Sequence, residues 1–208
     1  MSEFPENAGK VLTGLARASI AQGLQYEGRS CDSRSQARSA QDDGKESVQD
    51  DGKGANAWLD APGAAFVTLT QAGQLRGCIG SLVAHRALRD DVASNARAAA
   101  FDDPRFMPLQ ADELARTRIE VSVLSAPVPM PFTSRQDALA QLRPGVDGVI
   151  LSAGRRRATF LPQVWDELPD QEDFIQHLFR KAGLPANYWG DDVAISRYTV
   201  TAFLEDEP

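Results

Sequence analysis

Cysteine and histidine are scarce in this chain. Its 208 residues hold two of each, Cys31 and Cys78, His85 and His177. They lie far apart without metal-ligand spacing, so no metal site is expected: a structural zinc takes about four nitrogen or sulfur ligands. Two cysteines make no disulfide framework, and reduced thiols are the simpler expectation. A CxxxCxxC run is missing, which excludes a standard radical-SAM iron–sulfur centre. Long apolar stretches are missing too, for none nears the roughly 20 residues that cross a bilayer. The start, Met1-Ser2-Glu3-Phe4-Pro5-Glu6, has no basic segment followed by an apolar one, so the expected location is cytoplasmic. Net positive charge is lacking as well: 29 acidic residues against 22 basic give −7. A general nucleic-acid binder needs a basic footprint, and Arg155-Arg156-Arg157 reads as a solvated hairpin tip. There is no GxxxxGK[ST] phosphate loop, no GxGxxG fingerprint and no GxSxG nucleophile elbow. No cofactor follows from the residues present.

What the chain has is 42% hydrophobic and 25% charged residues, enough for one large domain or a domain with a lobe. Leu12, Ala16, Ile20 and Leu24 fall four apart and predict an amphipathic helix over 8–25. The composition then collapses. Residues 27–56 are mainly polar, and Gln41-Asp42-Asp43-Gly44-Lys45 recurs as Gln49-Asp50-Asp51-Gly52-Lys53. Such a stretch buries too little apolar surface to offset its ordering entropy and reads as a mobile insertion. The organisation is therefore a core helix over 1–26, the insertion, and the main domain over 57–208.

Within that domain, residues 65–70 and 74–82 predict a hairpin around Ala72-Gly73. Residues 87–101 predict a helix that stops before Pro104, and Asp112-Glu113-Leu114 a helical turn. Residues 118–124 alternate as a strand with one apolar face. Residues 127–131 read as a proline-rich connection. Residues 134–142 form a short helix capped by Ser134, and a second hairpin turns at Gly154. Residues 171–182 form an amphipathic helix ended by Gly183, and residues 195–204 one closing strand. Hairpins mixed with helices give an α+β fold with a mainly antiparallel sheet flanked by helices.

Chemistry concentrates in Leu75-Arg76-Gly77-Cys78-Ile79-Gly80, the LRGCIG motif. Glycines weaken a strand, so two of them around one thiol suggest backbone that something approaches closely. In a regular strand Arg76 shares a face with Cys78 and favours its thiolate. Cys78 is then the candidate nucleophile and Glu120 the candidate general base. Arg76, Gly77, Gly80, Asp103 and Arg105 are the candidate substrate-binding groups, Arg105 gripping an anion or pairing with Asp103. His85 is seven residues from Cys78 but beyond the strand end, and His177 lies on a helix that reads as packing, whereas a thiol hydrolase usually has a nearby imidazole. The competing reading is a binding or adaptor module with Cys78 as a small core residue.

Several segments together resemble the AMMECR1 domain, protein A of the AmmeMemoRadiSam system. They are Phe66-Val67-Thr68-Leu69, the LRGCIG motif, Asp103-Pro104-Arg105-Phe106, Ile119 to Leu124, Asp147-Gly148-Val149, Ala158 to Trp165, and Lys181-Ala182-Gly183-Leu184, in the family's order over residues 57–204. The resemblance implies two unequal subdomains with antiparallel sheets and a groove between them. It suggests an enzyme role through LRGCIG, acting on a small metabolite or modified substrate, and a Memo-like protein and a radical-SAM protein as partners. The chain departs from the family in its polar insertion and at Phe179, where a cysteine is common.

Overall fold

The computed structural model describes residues 4–30 and 56–205. Its elements divide into two compact units, one running to Val123 and resuming at Ala202, the other Leu124–Thr201.

In the first unit, helix α1 (Ala8–Ser30) buries Ala8, Leu12, Ala16 and Ile20 completely. It runs past the expected end at 25, and the remainder of the polar stretch, 31–55 with Cys31, lies outside the described residues. Strands β1 (Pro62–Gln71) and β2 (Gln74–Gly80) form the expected hairpin. Ala72 and Gly73 both take positive φ, 47° and 76°. That pair of angles is the two-residue turn whose twist matches the flanking strands. A short strand β3 (Arg86–Ala87) pairs with β1 and leads into helix α2 (Leu88–Phe101). Strand β4 (Arg118–Leu124) alternates as expected, with Ile119, Val121 and Val123 buried. With β9 (Val200–Leu204) the sheet order is β2-β1-β4-β9, β3 pairing β1 off that path. The core face carries Val67, Leu69, Ile119 and Val121 in one cluster with Leu12 and Ile20 of α1 and Val92 and Ala96 of α2. The face opposite carries Thr68, Cys78, Glu120 and Ser122.

Helix α2 also places two polar side chains inside. Asp91 is fully buried, and Asn95 one turn on is 4% exposed. Asp91 accepts from Ala65 N, Asn95 Nδ2, Ser81 Oγ and Arg86 Nε at 2.7–3.0 Å. Asn95 also donates to Ala65 O at 2.9 Å. A buried carboxylate is tolerable only when its lone pairs are filled in this way.

The second unit has strands β5 (Val128–Met130), β6 (Gly148–Ala153), β7 (Arg156–Phe160) and β8 (Val193–Tyr198) in the order β5-β8-β6-β7. Its helices are α3 (Arg135–Gln141) and α4 (Gln171–Lys181). Ser134 caps α3 by accepting from Asp137 N, and Phe174, Ile175, Leu178 and Phe179 of α4 are fully buried. Trp165 stacks on Phe174 at 3.7 Å between ring centroids.

Two expectations need correction. Residues 127–131 are not merely a connection: Val128–Met130 is an edge strand, where a sheet tolerates a proline such as Pro129. The closing strand is two strands in two sheets. The chain breaks pairing at Thr199, whose N–H donates to Ser125 Oγ at 3.0 Å and whose carbonyl accepts from Ser125 N at 2.9 Å.

Candidate functional site

Strand β2 is the edge of its sheet, and an edge leaves every second residue's backbone groups pointing outward. Cys78 is such a residue. Its N–H donates to Asp103 Oδ2 at 2.9 Å, and its carbonyl accepts from Arg105 Nη2 at 3.3 Å. Asp103 and Arg105 therefore stand where another strand would. They do so because Asp103-Pro104-Arg105-Phe106 is a tight turn, with Phe106 N donating to Asp103 O at 3.1 Å and proline at the position that presets φ. Asp103 Oδ1 accepts from Arg105 N at 3.1 Å. The guanidinium grips both carboxylate oxygens, Nε–Oδ1 at 3.0 Å and Nη2–Oδ2 at 2.7 Å. Arg105 holds the nearly buried Asp103 carboxyl far below the usual carboxylate range; the Cys78 and Arg105 backbone N–H groups add to this, and burial opposes it. Asp103 in turn raises Arg105, and Cys78 contributes to the same shift.

The Cys78 side chain is half-buried, and Thr68 Oγ1, directly across on β1, donates to its sulfur at 3.4 Å. The two glycines have structural occupants. A Cβ at Gly77 would lie 2.1 Å from the Ala99 carbonyl oxygen of α2, and one at Gly80 would lie 2.2 Å from the Phe66 ring. What approaches the motif's backbone is the protein's own helix and its own aromatic ring.

Arg76 does not serve Cys78. The β1–β2 register slips between Leu69 and Thr70, opposite Gly77 and Leu75, so Arg76 is the extra residue of a β-bulge. A bulge breaks the two-residue repeat that would place Arg76 and Cys78 together. Instead Arg76 forms a fork with Glu113, Nε–Oε1 at 3.1 Å and Nη2–Oε2 at 3.0 Å. The guanidinium near Cys78 is that of Arg105. Glu120 lies on β4, with β1 between it and β2, so about 10 Å of sheet separates it from Cys78. It accepts from Ser122 Oγ at 3.1 Å. His85 pairs through Nδ1 with Val83 O, and His177 with Asp173 O on its own helix. The structure thus brings Cys78, Asp103 and Arg105 together, with Gly77 and Gly80 beside them, and gives Arg76 and Glu120 other partners.

Sequence reasoning missed Thr68 and Glu113. It also missed Asp91 and Asn95, although their place beside Leu88, Val92 and Ala96 on one helical stripe marked them as polar groups bound for the interior.

Arg76 is the main reason the Glu113 carboxyl sits at about 2; the Gln110 N–H and the Gln71 amide assist, against burial. A carboxyl depressed in the folded state stabilises the fold above its unfolded pKa near 4.5, and that contribution is lost as pH falls to about 2. Glu113→Gln is expected to lower stability at pH 7 and to flatten the profile between pH 4.5 and 2, read by urea unfolding. Asp103, depressed in the same direction, keeps part of the slope. An acid limb identical to the wild type would contradict the pairing.

A family model described as AMMECR1 matches residues 14–203. This chain belongs to the AMMECR1 family. The AMMECR1 chain is 42% identical over 164 residues to Protein LS215_2104 of Saccharolobus islandicus, covering 74% of this chain and 70% of that one. It is 40% identical over 143 residues to a protein of Methanothermobacter thermautotrophicus, 68% of this chain and 74% of the relative. Among solved structures it is similar to the uncharacterized protein PH0010 from Pyrococcus horikoshii, with a TM-score of 0.73, 28% identity, and coverage of 100% of this chain and 96% of that one. The α+β fold is common to both. No helix among the described residues is long and apolar enough to cross a membrane.

Proposed function

We propose that this AMMECR1 chain is a binding module, with a Memo-like protein and a radical-SAM protein as its partners, and that Cys78 is a structural residue. One observation carries this reading: the Cys78 N–H, which a thiol acyl-transfer site would offer to the developing oxyanion, is committed to Asp103. The guanidinium beside the sulfur is neutralised by that same carboxylate, and Arg76 is neutralised by Glu113. The surface near this strand edge is partly apolar. Leu75 is exposed at one end of β2, Leu82 and Val83 lie exposed just past the other, and Met107 two residues after Arg105 is 81% exposed. Exposed apolar side chains spaced along such an edge suit a protein partner.

The test measures binding of the purified chain to each candidate partner by biolayer interferometry. Cys78→Ser is expected to bind as the wild type does, within about twofold, with a slightly lowered melting temperature. Met107→Asp is expected to weaken binding at least tenfold without loss of stability. Absence of binding to both partners sinks the partner assignment. A Cys78→Ser protein that folds and binds normally yet abolishes cellular function would return the motif to catalysis.

One observation favours the enzyme reading: the Cys78 sulfur is only half-buried, and the Arg105 guanidinium lies against the same residue's carbonyl, Nη2–O at 3.3 Å. In that reading Cys78 lies beside the reacting group of a small metabolite or modified substrate, with Arg105 holding an anionic group.

A further inference from the structure

We propose that a cavity of about 270 Å³ within the second unit binds the carboxylate of a small organic acid through Arg143 and Arg197. Ser125, Val128, Asp147, Tyr198 and Thr199 complete the wall. Strand β8 alternates so that Val193, Ile195 and Arg197 share a face, and the first two are buried in the unit's core. A guanidinium at the third position is costly unless something polar meets it. Its Nη1 donates to Gln141 O, the last carbonyl of α3, at 2.9 Å, and lies 3.9 Å from Asp147 Oδ2. Asp147 is fully buried and receives Arg143 through the backbone N–H at 2.9 Å and through Nε at 3.1 Å. Its backbone is fixed by Trp165 Nε1, which donates to Asp147 O at 2.7 Å.

One carboxylate therefore faces two guanidiniums, and the site carries one surplus positive charge. Asp147 acts as a positioning residue: it fixes Arg143 and leaves Arg197 at a distance too long for a hydrogen bond. Both arginines line the cavity, and their side chains are 55% and 34% exposed. An arginine has five N–H donors, more than these contacts use. A single surplus charge matches a carboxylate. A phosphate monoester carries about −1.5 to −2 and would leave unbalanced negative charge beside Asp147. Val128, 59% exposed at the wall, suits a short aliphatic segment, and the volume sits near the lower bound for small-molecule sites.

The probe is butyrate, titrated calorimetrically into the full chain at constant ionic strength, with inorganic phosphate as the second arm. Butyrate is expected to saturate in the millimolar range, and phosphate to bind at least tenfold more weakly. Arg197→Gln is expected to weaken butyrate at least tenfold. Val128→Glu, which sets a carboxylate at the exposed wall, is expected to abolish binding while leaving the melting temperature unchanged, and it decides the matter should Arg197→Gln fail to fold. No saturable butyrate binding, tighter binding of phosphate, or unchanged binding in the folded variants would each overturn the proposal.

Discussion

Gly77→Ala is expected to destabilise the protein by about 3 kcal/mol or more. The added methyl would meet the Ala99 carbonyl oxygen at 2.1 Å, and that oxygen belongs to helix backbone that cannot rotate aside. Either α2 lifts from the sheet, opening the cluster that holds Val92 and Ala96, or β2 buckles and pulls the Cys78 N–H from Asp103. Both responses forfeit packing at the centre of the first unit. Gly14→Ala is the matched control. A Cβ there meets nothing within 4 Å, and a helical glycine replaced by alanine gains about 0.5–1 kcal/mol. Urea unfolding of the two variants should move the midpoint in opposite directions. A Gly77→Ala midpoint close to wild type would mean that the glycine is kept for a ligand rather than for the helix.

The second large effect is expected at Asp91. Its carboxylate receives four donors from three parts of the chain: the β1 backbone at Ala65, the Ser81 and Arg86 side chains that follow β2, and Asn95 on its own helix. Asp91→Ala strands all four, and removing one partner of a buried charged pair costs about 3–5 kcal/mol. Arg86→Gln is expected to cost less, because the Arg86 side chain is 31% exposed and water replaces part of what it loses. Asp91→Asn keeps the shape but turns an amide N–H₂ toward one of the donors, and should fall between the two. Equal midpoints for Asp91→Ala and Arg86→Gln would show that the carboxylate serves the arginine alone and does not knit the helix to the hairpin.

Local pattern made much of this fold legible. The four-residue spacing of Leu12, Ala16 and Ile20, the hairpin around Ala72-Gly73, the Ser134 cap and the apolar face of α4 are all set by neighbours within a turn or two. The features that escaped are fixed by distant chain. Alternation from Ile195 to Leu204 contains no break, because the switch at Thr199 is imposed by Ser125, 74 residues earlier. The bulge at Arg76 answers to the pairing with β1 and to Glu113, 37 residues on. The same holds at the candidate site. That two glycines surround Cys78 was plain, but the identity of what approaches them, the Ala99 carbonyl and the Phe66 ring, follows only from the packing of α2 and β1. Asp103 and Arg105 were recognisable as a pair; their work in closing a strand edge required knowing that β2 is one.

The alkylation rate of Cys78 by iodoacetamide at pH 7, followed by peptide mass spectrometry on the native chain with glutathione as reference thiol, bears most directly on whether this sulfur is framework or reagent. A half-covered atom tethered to Thr68, its backbone clamped on both sides, should be modified several-fold more slowly than glutathione, and Asp103→Asn should speed it by loosening the edge. Modification of the folded protein faster than glutathione, and slowed by Arg105→Gln, would contradict the account.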